Sequence, residues 1–438
     1  MRKLTCAVVG YGNRGEIYTR YAKNCPDELS VVAAVDLSEF RLSLAKQAFD
    51  LPDDRLFSSL DDCLAGGIKC DFVINATMDQ MHYETAVKIL NAGYDMVLEK
   101  PVTGNPDELL HIERLAKEKG RRVVICHVLR YTLFYSEIKK IIDSGELGKI
   151  MNMQLNEHVG MAHFIKAYVR GKWHSEAECG SGLLLAKCCH DTDLMCWLNN
   201  ATEPYLVSSF GERAHFTEAN APEGATQFCY QCPKKDECMF DAIKSELERD
   251  SIPDYTWCRI NKPYAEITRE EKIEYLKHDI YGQCVYKIKD MDIVDRQSVM
   301  LQYKNGSTAT LNMVGGTMLA GRHIHILCED GEILGSIDKN KFTVRKFVGG
   351  ISQLVERVVD LDEVAKLDGD ANKNSITGHF GGDYYMMRDV VRYFSGESTS
   401  PSTTVLSDSI NSHLVCYGAE KSRRERCVVE IQKEFGER

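Results

Sequence analysis

Basic residues, long apolar runs and low-complexity stretches are what this chain lacks. Lysine and arginine number 54 against 65 acidic residues, a net charge of −11. That balance opposes a phosphate-rich partner, so nucleic acid is set aside. The short basic run Lys421-Ser422-Arg423-Arg424 reads as a solvated helix face. No apolar stretch reaches the roughly 20 residues needed to cross a bilayer, so no membrane partner is expected. Met1-Arg2-Lys3 runs directly into the strand that the first motif needs, so no signal peptide is expected. Internal repeats are also missing. Cysteine is the exception to this scarcity, with 17 residues, but they are diluted through 438 positions. Reduced thiols in a cytoplasmic protein are the expectation. The 44% hydrophobic and 27% charged fractions are those of a soluble globular chain. Its length suits two domains, each with its own core.

The first part has a regular rhythm. Apolar runs at 4–10, 29–35, 71–76, 96–98 and 122–126 alternate with helical patterns at 13–23, 41–49, 83–91 and 106–119. Strands alternating with helices on short connections specify a doubly wound parallel sheet. Beyond residue 128 the pattern changes. A helix near 135–144 precedes 149–158, which alternates like a half-buried antiparallel strand, and 294–303, 308–314, 323–328 and 332–338 repeat it. Asn305-Gly306 and Asp330-Gly331 supply hairpin turns. The predicted architecture is therefore α/β: a Rossmann domain over 1–128, then an α+β domain over 129–438 with a mostly antiparallel open sheet. A polar, cysteine-bearing insertion interrupts the second domain at about 215–289.

Gly10-Tyr11-Gly12-Asn13-Arg14-Gly15 is a GxGxxG turn between a buried strand and a helix, the context that gives the pattern meaning. Gly10 permits the tight turn, Gly12 lets backbone approach a pyrophosphate, and Gly15 allows close packing of helix on strand. Free N–H groups at the helix start suit phosphate. Asp36 closes the second strand about twenty residues on, where a carboxylate binds the adenosine ribose hydroxyls. It would repel a 2′-phosphate, so NAD is expected over NADP, although Arg41 lies nearby.

Glu99-Lys100-Pro101 follows the 96–98 strand at the carboxyl edge of the sheet, where ligands of open α/β sheets bind. By position alone, Lys100 reads as a surface loop lysine. In order along the chain stand the GxGxxG turn, Asp36, Ala76-Thr77 with His82, Glu99-Lys100-Pro101, and Gly180-Ser181-Gly182 leading to His190-Asp191-Thr192-Asp193. Together they resemble the Gfo/Idh/MocA family, the glucose–fructose oxidoreductase and inositol dehydrogenase group. The resemblance implies a nicotinamide enzyme acting on a secondary alcohol of a sugar, glycoside or cyclitol. It implies that Ala76, Thr77, His82 and Glu99 border the cofactor and that Lys100 is the catalytic lysine. His190 matches the family's histidine, and imidazole titrates near operating pH as a general base should. The family's aspartate four residues before that histidine is replaced by Ala186. Either His190 acts without a carboxylate partner, or Lys187, Asp191 or Asp193 substitutes.

His127 and Arg130 leave the last Rossmann strand at a junction that borders cofactor and substrate in the family, although Arg130 equally suits an interdomain salt bridge. Trp173 and His379 are further candidates to meet a sugar ring. Lys187 divides evenly between substrate contact and a structural role. Cys229, Cys232 and Cys238 could open a zinc site with a fourth ligand from Cys258, Cys284 or His215, but buried free thiols are the favoured reading, since only three thiolates are evident. Two other functions use the same residues: a redox-neutral glycosidase or lyase that oxidises its sugar transiently, and a non-catalytic NAD sensor. An open antiparallel sheet invites pairing of subunits, so a homodimer or homotetramer is expected.

Overall fold

The computed structural model describes residues 2–249, 252–351, 353–367, 369–370, 378–397 and 400–436. The first sheet has strands β1 (Leu4–Val9), β2 (Leu29–Val35), β3 (Leu56–Phe57), β4 (Phe72–Asn75), β5 (Asp95–Leu98) and β6 (Val123–Ile125). Their order is β3-β2-β1-β4-β5-β6, and every pairing is parallel. Strand order reverses beside β1, which opens a crevice at the carboxyl ends of β1 and β4. β3 was not foreseen, because two residues show no period.

The second sheet contains β7 (Ile150–Gly160), β8 (Pro204–Glu212), β9 (Arg296–Tyr303), β10 (Thr308–Thr317), β11 (Gly321–Cys328), β12 (Gly331–Ser336), β13 (Lys341–Phe347), β14 (Leu354–Asp360) and β15 (Val429–Glu430). It runs β14-β13-β12-β11-β7-β10-β9-β8-β15. Pairing is antiparallel except between β7 and β10, where β7 inserts between two sequential strands. β9 alternates strictly between exposed and buried residues, the signature of a sheet with one covered face. The cover is the helix Leu183–Leu198, buried at every residue but Lys187, with the helix Leu406–Glu425 packed against it.

The chain then returns to its beginning. The helix Gly382–Phe394 shares one apolar core with Tyr21, Phe72 and Val97 of the first unit. Phe394 stacks on Phe72 with ring centroids 4.9 Å apart. Val405 bridges Val124 at the sheet edge, and Ile125 N–H donates to Thr404 O at 2.8 Å.

Candidate active site

The glycine turn is shaped by sterics. Gly10 has φ +84°, and a Cβ there would lie 2.5 Å from Ala76 O. A Cβ on Gly15 would lie 2.1 Å from Gly10 O. Only glycine fits either position. Gly12 differs: its nearest obstacle is the Arg41 side chain at 3.5 Å, so room is left for a ligand to approach backbone. The helix Asn13–Asn24 begins immediately afterwards, with its N–H groups at the crevice. Asp36 accepts from Tyr11 N–H at 2.8 Å and Ser38 N–H at 2.9 Å. Each carboxylate oxygen keeps a second acceptor site. Arg41 reaches Tyr11 O at 3.4 Å on the same rim. These donors and acceptors fit a dinucleotide: N–H groups and an open glycine for pyrophosphate, a fixed carboxylate for ribose hydroxyls.

Four residues of the expected cofactor site, Arg14, Glu99, His82 and Thr77, serve as braces. Arg14 turns inward and donates to Glu99 at 2.9 Å, Tyr18 at 2.6 Å and Asp383 at 2.5 Å. The Tyr18 hydroxyl also donates to Glu99 at 2.5 Å. Burial alone would raise both carboxyls, but Arg14 beside them holds Asp383 and Glu99 below the usual carboxylate range. His82 is buried, with Nδ1 2.6 Å from Pro101 O and Nε2 3.1 Å from Thr77 O. It ties the Lys100-Pro101 loop to the turn after β4, where the Thr77 hydroxyl donates to Asn75 at 3.0 Å.

Lys100 leaves the end of β5 and places its ammonium on the helix Leu183–Leu198, donating to Ala186 O at 2.9 Å. In place of the absent aspartate, the lysine thus meets a main-chain carbonyl one helical turn before His190. Burial pulls its pKa down, but the Cys189 thiol and the Glu99 and Asp79 carboxylates pull it above its ordinary value. His190 is buried, and Nδ1 has no hydrogen-bond partner among the described residues. Burial first, then Lys100 and His127, push its pKa well below the ordinary histidine value. The imidazole is neutral at physiological pH.

None of the three substitutes considered for the missing carboxylate reaches His190. Lys187 pairs with Glu157 at 3.2 Å. Asp191 accepts from Arg322 at 2.9 Å, and Arg322 also meets Glu157 at 2.7 Å. Asp193 accepts two hydrogen bonds from Arg130, at 2.7 and 2.5 Å. Both residues lie beyond residue 128, so the buried Arg130–Asp193 pair is internal to the second expected domain rather than interdomain. His379 stands at the cleft with φ +47°, its Nδ1 3.1 Å from Asp383 and its ring 5.9 Å from that of His190. Trp173 donates to Asp79 at 2.9 Å and lies near Tyr168 and Tyr255, with centroids 5.9 and 6.3 Å away. The sequence reading missed Asp79, Tyr168, Tyr255, Glu157, Arg322 and His163, which lies 5.8 Å from Tyr168. Of these only Glu157 carried a signal, being charged at an inward position of the alternating β7.

The zinc alternative over Cys229, Cys232 and Cys238 finds no support. Among the described residues no group of three histidine, cysteine or acidic side chains could hold a metal ion. Cys229 is met instead by the Arg170 guanidinium at 3.5 Å and by Gln283 O at 3.7 Å. A fixed cation opposes a second one there, and burial pushes the thiol's pKa up. The described cysteines form no disulfide. Among the described residues no helix is long and apolar enough to cross a membrane.

Comparison with known proteins defines the class. Residues 4–127 match the family model for the NAD-binding Rossmann fold of the oxidoreductase family Gfo/Idh/MocA. Residues 135–228 match the model of a Gfo/Idh/MocA C-terminal domain. The two matched stretches are thus an N-terminal and a C-terminal domain of the Gfo/Idh/MocA type. It is 30% identical to the Bacillus subtilis protein YteT over 284 residues, 63% of this chain and 61% of that one. The WlbA dehydrogenase of Bordetella pertussis, solved with NADH and UDP-GlcNAcA, has 19% identity and a TM-score of 0.67, covering 98% of each chain. Levoglucosan dehydrogenase, solved with NADH and levoglucosan, has 15% identity and a TM-score of 0.69, covering 98% of this chain and 99% of that one. Identities this low speak for the fold alone.

Proposed function

We propose that this protein is an NAD-dependent dehydrogenase of a secondary alcohol on a sugar, glycoside or cyclitol. The observation that carries the reading is a charged lysine held one helical turn from a neutral, buried histidine, at the mouth of a dinucleotide-shaped crevice. Lys100, with its pKa raised, keeps its ammonium and stabilises negative charge as it develops on the substrate oxygen. His190, with its pKa lowered, is free to take the hydroxyl proton. Nδ1 is sealed in the interior, so Nε2 is the nitrogen left for substrate. The bound nicotinamide supplies the hydride acceptor. Trp173, Tyr168 and Tyr255 offer apolar ring faces of the kind that pack on sugar rings. WlbA, solved with NADH and UDP-GlcNAcA, and levoglucosan dehydrogenase, solved with NADH and levoglucosan, share this fold, and their ligands guide the choice of compounds for the test.

The test is NADH formation at 340 nm over a panel containing levoglucosan, myo-inositol and UDP-GlcNAcA. A reduced cofactor matched mole for mole by ketone is expected with at least one class. Ketone-free release of an aglycone, or no hydride exchange with any compound, would overturn the reading. Cysteines that form no disulfide among the described residues support a reducing cytoplasmic setting. The open sheet face exposes Phe210, Met300 and Val314, which supports a homodimer or homotetramer, and light scattering at micromolar concentration tests it.

A further inference from the structure

Two imidazoles meet beneath the cleft, and neither is satisfied. His127 is fully buried, and neither of its ring nitrogens has a hydrogen-bond partner among the described residues. His190 Nδ1 is in the same condition. The rings lie edge to face with centroids 5.9 Å apart and no direct hydrogen bond between them, a spacing that one water can bridge. An unpaired buried polar atom is costly, and these two neighbouring rings carry three of them.

The neighbours are committed elsewhere. His413, 5.6 Å from His127, has Nδ1 on Ser409 O at 2.9 Å and accepts from Val102 N–H at 3.1 Å. His379 belongs to Asp383. Asp193 is clamped by Arg130, yet its Oδ1 lies 3.8 Å from His127 Nε2. The other charged groups facing the pair are Lys100 and Arg322 toward His190, and Arg130, Lys100 and Glu99 toward His127.

We propose that His127 is the positioning residue of the His190 base, in place of the carboxylate that Ala186 lacks. The proposal rests on the reading of His190 given above. Asp193 favours the proton of His127 on Nε2, which leaves His127 Nδ1 as an acceptor. His190 then carries its own proton on Nδ1, linked to that acceptor through one bridging water. A neutral imidazole has two tautomers, and only the one protonated at Nδ1 presents a lone pair from Nε2. Selection between tautomers is the work a carboxylate would otherwise do. No proton passes between the rings; both are neutral until His190 Nε2 accepts the substrate proton, which leaves His190 as an imidazolium.

Nitrogen-15 NMR of histidine-labelled protein, without cofactor or substrate, reads the tautomer directly. Wild type should show His190 protonated on Nδ1, and an Nε2-protonated ring would overturn the proposal. His127→Leu should lower the ratio of Nδ1-H to Nε2-H at least fivefold, and His127→Gln, which keeps an amide acceptor, should recover most of it. Unchanged His190 signals in the leucine variant, or equal scrambling in both variants, would also overturn it. Because no turnover is measured, these outcomes stand apart from a failure of the dehydrogenase reading, which the substrate panel and His190→Ala decide.

Discussion

Asp383→Asn is the sharpest perturbation of the frame around the cleft. The carboxylate is fully buried, and Arg14, a quarter exposed, reaches it at 2.5 Å while also holding Glu99 at 2.9 Å. Two unit charges about 4 Å apart in an effective dielectric of about 20 attract by about 4 kcal/mol. Desolvation already offsets part of this, and Glu99 remains to partner Arg14, so a loss of about 3 kcal/mol is expected, at the low end of about 3–5 kcal/mol for breaking a buried pair. Urea unfolding of wild type and variant, followed by tryptophan fluorescence, reads the difference at pH 7. The pH dependence has a definite sign. A carboxyl whose folded pKa lies below its unfolded value of about 3.9 stabilises the fold above that value, and the contribution fades as pH falls through the folded pKa. The gap between wild type and Asp383→Asn should therefore hold from pH 7 to about 5, begin to narrow below about 4, and close only as pH falls through the folded pKa. Combining the variant with Arg14→Met should give a coupling of about 2 kcal/mol. A loss under about 1 kcal/mol, or additivity within about 0.5 kcal/mol, would refute the reasoning.

Lys100→Met should leave NAD affinity within a few-fold while turnover falls by orders of magnitude, as separate binding and rate measurements will show. His190→Ala should cost about 10²–10⁴-fold in rate. Because burial and Lys100 push the His190 pKa well down, the oxidation rate of wild type should be level across the range around the ordinary histidine value of about 6.5 instead of rising through it. A profile rising through that pH would place another group as base. Asp36→Ala should narrow the preference for NAD over NADP by about tenfold, or about 1.4 kcal/mol, and a wild type that prefers NADP would remove Asp36 from the ribose. Phe394→Ala, which empties the stack on Phe72, should destabilise by about 3–5 kcal/mol, measured by urea midpoint.

What the sequence disclosed follows from how far each signal travels along the chain. The glycine turn, Asp36 and the first sheet were legible because strand, turn and helix lie within about forty neighbouring residues, each with its own pattern. The antiparallel sheet was legible where one face is covered, as in β9 with its strict alternation. β14 escaped because most of its residues are exposed, so no period betrays it. The site divides in the same way. Lys100 and His190 stand out by motif, but the fates of Lys187, Asp191 and Asp193 depend on Glu157, Arg322 and Arg130, whose places are set by the fold. A helix-face argument puts Lys187, His190 and Asp193 together, and it fails here because that helix is buried almost all round, so each residue answers to a different neighbour.

The return of the chain to its first sheet has a consequence for how the molecule is made. Phe72, Val97 and Tyr21 share their core with Met386, Val390 and Phe394, and β6 gains its outer bridge from Val405. During synthesis the nucleotide-binding half therefore emerges with an apolar flank and one open strand edge. Neither is closed until residues 382–405 have left the ribosome. For most of translation that half is an unfinished surface of the kind chaperones hold, and a fragment ending at residue 128 would keep that condition permanently.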